Sequence, residues 1–138
     1  MDKVLNYLSL ARKAGVAELG EEPAGAAARA GKAYVLLAAG DCGDHTWRRA
    51  KSYAAGTDQQ CVRLPFTKDE MGMATGRTSL ALAAITDAAL ALALVQALPE
   101  QEKYAEAVAV LSQKVQRQKQ RKKEAQAHKK NVRTGKKK

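Results

Sequence analysis

The segment Asp41-Cys42-Gly43-Asp44-His45 places a thiol, an imidazole and two carboxylates in one short stretch. A thiol acts as a nucleophile when its pKa is lowered and a base lies within hydrogen-bond reach. Cys42 with His45 as its base is therefore the pair in this chain that comes nearest to an enzyme's. Their spacing does not aim the ring at the thiol, and a buried, inert cysteine suits the same residues. Glu21 and Glu22 offer a second acid/base pair, but adjacent carboxylates ahead of Pro23 complement the positive end of a helix. Cys42, His45, Cys61 and His128 are the available metal ligands, and no two of them share the spacing of a structural zinc site. GxGxxG, Walker and GxSxG motifs do not occur. The expectation is a protein that is not an enzyme, uses no cofactor or metal and has no small-molecule substrate.

Charge carries a stronger signal. The 138 residues hold 24 Lys and Arg against 14 Asp and Glu, a formal net charge of +10. Residues 1–100 carry eleven of each sign, whereas residues 101–138 carry thirteen cations and three carboxylates. From Ser112 the chain reads SQKVQRQKQRKKEAQAHKKNVRTGKKK, with Val115 and Val132 its sizeable apolar residues. Such a segment buries too little to offset the entropy of ordering, so it is expected to be solvated, and disordered or helical only on binding. Counterion release draws it to polyanions, and RNA is the polyanion expected. Trp47 and Tyr53, near Arg48, Arg49 and Lys51, could stack on bases, but aromatic residues at helical spacing more often turn inward.

These residues must be positioned by one compact domain, the size that 138 residues allow. With 46% hydrophobic but only 4% aromatic residues, its core is built from Ala, Leu and Val. Val4, Leu5, Leu8 and Ala11 predict a helix over 3–13, closed by Arg12, Lys13 and Gly15. A short strand over 16–19 leads to a helix from 21 to 29 or 30. The continuous apolar run over 33–39 predicts a strand buried on both faces. A helix over 45–55, a strand over 60–64, and a short helix to Ala74 with Thr67 and Glu70 as its capping box follow. A buried strand over 80–85 precedes a helix capped by Asp87 and ending near Leu98. Beyond Pro99 a last helix carries Tyr104, Val108 and Leu111 on one face. The alternation predicts an α/β fold, a three-layer α/β/α sandwich with a small mixed sheet, followed by a basic helical or disordered C-terminal tail. The division falls at residues 1–98 and 99–138. No apolar run reaches the roughly 18–20 residues of a membrane span, and the start is amphipathic rather than signal-like. With two unpaired cysteines, a cytoplasmic location without a membrane partner is expected.

Four stretches, LNYLSLARKAG, LGEEPAGAAARAGKAYVLLAAGD, TKDEMGMATGR and LALAAITD, occur in an order that resembles the L-seven-Ae and L-thirty-e ribosomal-protein superfamily, in its bacterial YlxQ-like branch. The resemblance spans about residues 3–95. It implies an α/β/α sandwich that binds RNA without catalysis, typically kink-turn or related internal loops, with ribosomal or other structured RNA as partner and the ribosome as a candidate assembly. The implied RNA face comprises Gly20, Glu21 and Glu22 at the second helix, with Pro23 and Ala26, and Arg77, Thr78 and Ser79 before the last strand; Lys32, Arg12 and Lys13 are basic positions nearby. Ala26 and Val16 stand where the family commonly has lysines. A neutral domain supplying shape and a basic tail supplying affinity is the division of labour expected. The alternative is a protein-interaction module of the same fold that has lost specific RNA recognition.

Overall fold

The structure, a computed structural model, describes residues 2–134, with side chains as far as Ala127; residues 135–138 of the basic run lie outside it. Asp2 caps α1 (Lys3–Lys13) by accepting from the Val4 amide at 2.7 Å, and Val4, Leu5, Leu8 and Ala11 form its buried face. β1 (Ala17–Leu19) leads into α2 (Glu21–Arg29), and β2 (Val35–Ala38) into α3 (Asp44–Ala54). β3 (Gln60–Arg63) is followed by α4 (Lys68–Ala74), whose Thr67 and Glu70 make both bonds of the capping box. After β4 (Leu82–Ile85) come α5 (Ala88–Gln96), capped by Asp87, a short 3-10 turn at Gln101–Tyr104, and α6 (Ala105–Thr134).

The sheet order is β1-β4-β2-β3, with β4 antiparallel to both β1 and β2, and β3 parallel to β2. Ile85 sits opposite Ala17 on one side and Val35 on the other. β2 and β4, the two central strands, are buried at every position. The parallel crossovers from β1 to β2 and from β2 to β3 advance in one direction across the sheet, so right-handed connection puts α2 and α3 on the same face. α1, α5 and the first turns of α6 cover the other face, giving the expected sandwich. Leu8, Leu36, Leu37, Leu82, Ile85 and Leu94 fill the core between the layers, each worth ~1.5–3 kcal/mol of burial. α2 buries the small residues Ala24, Ala27 and Ala28, which lets helix and sheet approach closely, while Gly25 makes room for Tyr53 of α3, whose hydroxyl lies 2.6 Å from where a Cβ would be.

The C-terminal segment differs from the expectation in one respect. Solvation was expected from Ser112, but Ser112, Lys114, Val115 and Gln118 are half-buried, continuing the stripe that begins with Ala107 and Leu111 in the core. Lys114 forms an ion pair with Asp58, and Gln118 Nε2 donates to the Tyr34 hydroxyl at 3.2 Å. The helix then continues through Thr134. Residues 105–134 contain neither Gly nor Pro and are rich in Ala, Gln, Lys and Arg, all good helix formers. Packing of the first turns meets the nucleation cost, after which each added residue needs only propagation.

Candidate nucleic-acid interface

Because β1 and β2 run together and β4 runs against them, the C-terminal ends of β1 and β2 and the N-terminal end of β4 share one end of the sheet. Gly20 lies there. Its amide donates to the Leu82 carbonyl at 2.8 Å, extending the β1–β4 ladder, before the chain turns into α2. The turn has φ 103° and ψ 162°, a region essentially confined to glycine. No side chain caps the helix start. Pro23 has no N–H and the Ala24 amide donates to the Gly20 carbonyl, so the amides left at the helix start are those of Glu21 and Glu22, with the positive end of the helix dipole behind them, groups that can receive an anion.

The loop between α4 and β4 meets this helix start. Arg77 Nη1 donates to the Leu19 carbonyl at 3.5 Å, and a Cβ on Gly20 would lie 3.8 Å from Arg77 Nη2. Thr78 and Ser79 follow, both exposed. The loop is held by close packing on α4, since a Cβ at Gly72 would come within 2.7 Å of the Ser79 nitrogen and 2.8 Å of the Arg77 carbonyl oxygen. Arg12 reaches the same loop from the end of α1, its guanidinium standing 3.4 Å from where a Cβ on Gly76 would be. Arg12 and Arg77 thus flank one loop beside the start of α2, a pairing that sequence separation hides.

Glu21 and Glu22 diverge. Glu21 accepts from the Thr46 hydroxyl at 3.1 Å and pairs with Arg49 at 3.2 Å, so its carboxylate is drawn to α3. Glu22 is exposed. Between α2 and α3 lies a groove of 410 Å³ lined by Glu21, Glu22, Arg29, Arg49 and Tyr53, with the Arg29 guanidinium 5.9 Å from the Tyr53 ring centroid.

Lys32 is not at this end. It follows the last turn of α2, whose nine residues span ~13 Å, beside a shallow cleft shared with Pro23, Ala26 and Thr86. The structure thus brings Gly20 and Arg77 together, with Thr78 and Ser79 following Arg77 in the same loop, turns Glu21 toward α3 and leaves Lys32 apart.

Cys42 is buried, while the exposed His45 places Nε2 2.6 Å from Arg49 Nη2; no hydrogen bond joins Cys42 to His45. Burial pushes the Cys61 thiol up to about 11, against the opposing charge of Lys51. Trp47 is half-buried against the core, and Lys51 and Arg63 lie 5.6 and 5.5 Å from its ring centroid. Among the described residues no group of three His, Cys, Asp or Glu side chains could hold a metal ion, and no helix is long and apolar enough to cross a membrane. The side chain of His128 lies outside the described residues.

The fold and this end of it define a small α/β/α sandwich with an uncapped helix start facing a basic loop. Solved structures share that architecture, the following two among them. A protein of unknown function from Bacillus halodurans matches with a TM-score of 0.67 and 22% identity over 72% of this chain and all of its own. The Giardia lamblia 15.5kD RNA binding protein matches with a TM-score of 0.60 and 18% identity over 72% of this chain and 84% of its own. At these identities the likeness is one of fold. No protein-family model matches the sequence, and no curated protein does.

Proposed function

We propose that the protein is a non-catalytic RNA-binding protein of the L-seven-Ae and L-thirty-e superfamily, in its YlxQ-like branch. It works in the cytoplasm on kink-turn or related structured RNA, ribosomal RNA and the ribosome included. The observation that carries this reading is the meeting of Arg77 with the uncapped start of α2 at Gly20, with Arg12 on the other side of the same loop. The amides at the start of α2 and the two guanidiniums about that loop are groups suited to a phosphate backbone. The fold shared with an RNA-binding protein supports the reading. So do the sequence stretches that resemble the family, which place Gly20, Glu21, Glu22, Arg77, Thr78 and Ser79 on its RNA face. Residues 1–98 supply the shaped surface, and the basic extension over 99–138 adds affinity that carries no sequence information.

The test is a titration of the full chain against a kink-turn RNA and an unkinked duplex of equal length, at two salt concentrations. The full chain is required because Ala107 and Leu111 belong to the core, so truncation near residue 100 would open it. Preference for the kinked RNA is expected. Arg12→Gln with Arg77→Gln should reduce that preference and lower the salt slope by about 2, one for each phosphate that is no longer neutralised. Equal affinity for both RNAs, with a slope untouched by the two substitutions, overturns the proposal.

A further inference from the structure

Two groups of cations in this protein lie toward opposite ends of the sheet. Gly20 and Arg77 mark one end, and the Arg12 guanidinium reaches the same loop at Gly76. Tyr34 precedes β2 and Asp58 precedes β3, so both lie at the other. α5 departs from this second end, directly after β4, and α6 returns along α5 until Lys114 meets Asp58 and Gln118 meets Tyr34. At that point α6 has reached the second end with residues 119–134 still to run, ~24 Å of helix. This overhang points away from Gly20.

The overhang has the chemistry of a polyanion-binding arm. Lys119, Arg121, Lys122 and Lys123 are exposed, and none has a carboxylate within ion-pair distance among the described residues. The neighbouring Glu124 accepts from Gln120. Between residues 119 and 127 the apolar side chains are Ala125 and Ala127, too little for the stripe that a protein partner's helix would bury. The stripe of α6 that packs on the domain continues at Lys122, so the underside of the overhang is itself charged. The length of α2 and the strands of the sheet separate this arm from Arg77 by on the order of 20 Å. That exceeds the ~8–10 Å screening length at physiological salt. The two clusters are therefore too far apart to act on one phosphate group.

We propose that the overhang of α6 is a second RNA-binding surface, so that one molecule of the protein joins two RNA segments. This rests on the RNA-binding reading above and adds an activity to it: bridging of two RNAs, or of two distant parts of one. The first segment is chosen by shape at Gly20 and Arg77. The second is held through phosphates, because the deep, narrow major groove of an RNA duplex keeps side chains from reading its bases.

The experiment uses the full chain, a fluorescent kink-turn RNA and a biotinylated unkinked duplex that is not complementary to it. Capture of the fluorescent RNA on streptavidin is measured at equimolar protein, and sedimentation gives the stoichiometry. The expected result is capture, with a complex of one protein and two RNAs. Replacing Lys119, Arg121, Lys122 and Lys123 by Gln keeps helix propensity nearly unchanged, which circular dichroism verifies. That variant should still bind the kinked RNA but lose capture by about tenfold or more. Arg12→Gln with Arg77→Gln should also lose capture while still binding the duplex. If the wild-type protein binds the kinked RNA and the duplex competes for it at one RNA per protein, the bridging proposal falls and the RNA-binding reading stands. If neither RNA binds, both fall.

Discussion

Arg49 holds the Glu21 carboxylate at 3.2 Å, joining the first residue of α2 to the second turn of α3. The Thr46 hydroxyl donates to the other carboxylate oxygen at 3.1 Å. These contacts turn one of two adjacent negative charges away from the proposed phosphate path. The pair is partly exposed, so Arg49→Gln should cost no more than about 1 kcal/mol of stability. Its effect on RNA should be clearer, since it releases Glu21 beside the start of α2 and weakens binding. Glu21→Gln should tighten binding and make the salt slope steeper. Titrations of both variants check this, and a kink-specific loss on Glu21→Gln would instead assign the carboxylate a base contact.

Gly72 sets the position of Arg77 without approaching RNA itself. A methyl group there would lie within 3 Å of backbone atoms of both Arg77 and Ser79, and backbone cannot step aside as a side-chain tip can. Gly72→Ala should therefore push the 77–79 loop off α4, at about 1–3 kcal/mol of stability, and weaken RNA binding as well. Arg77→Gln should weaken binding to a similar degree with stability unchanged. Chemical denaturation beside RNA titration separates the two, and full affinity in Gly72→Ala would show that loop placement is immaterial.

Local features of this fold were legible because local residues determine them. Thr67 and Glu70 announce their capping box, Asp87 its helix, and the apolar run at 33–39 a strand whose centre is fully buried. The interface was legible only in part. Gly20 and Arg77 could be matched through resemblance, but their meeting depends on β4 lying beside β1, a pairing that no local pattern specifies. The same strand order sends Lys32 to the far end. The Glu21 to Arg49 contact needs α2 and α3 on one face, and the approach of Gln118 to Tyr34 needs α6 to descend the length of α5. Spacing did hint at the latter, since Leu111, Val115 and Gln118 follow one another at helical intervals, but a glutamine does not advertise a buried contact.

Gln59 is a polar residue placed inside the fold for a structural reason. Its amide nitrogen donates to the Ala28 carbonyl and its oxygen accepts from the Ala33 amide, each at 3.2 Å. It thereby closes the turn between α2 and β2, next to Lys32. Gln59→Ala would leave the Ala33 amide without a partner and the Ala28 carbonyl with the Gly31 amide alone, at about 1–3 kcal/mol. The denaturation midpoint should fall accordingly while RNA binding at Arg77 is kept. An unchanged midpoint would mean that water replaces the side chain fully.

Cys61 should be a slow nucleophile. Burial raises its thiol to about 11, so little thiolate exists at neutral pH. Alkylation by iodoacetamide should be slow near pH 8 and climb by about tenfold per pH unit until the thiol titrates. A plateau reached below pH 9 would contradict the burial that sets the shift.

The ion pair between Lys114 and Asp58 gives the anchoring of α6 a pH dependence. The hydrogen bond from Lys114 lowers the Asp58 pKa, its charge and that of Arg117 act in the same direction, and desolvation opposes them. A carboxyl whose folded pKa lies below its unfolded value stabilises the fold above the unfolded pKa. That contribution is lost as pH falls through the folded pKa, because the protonated group no longer holds Lys114. The window thus lies below the ordinary aspartate range and leaves α6 anchored at neutral pH. Because Asp58 is exposed, the energetic effect is small and the direct observable is the titration itself. Carbon-detected NMR of the Asp58 carboxyl should show a midpoint below the usual value in the native chain and a return toward it in Lys114→Met. The chemical shifts around Gln118 and Tyr34 should move with the same midpoint in the native chain and lose that dependence in the variant. Identical Asp58 midpoints in the two proteins would mean that Lys114 does not hold the helix at this point, and that Leu111 and Gln118 anchor α6 alone.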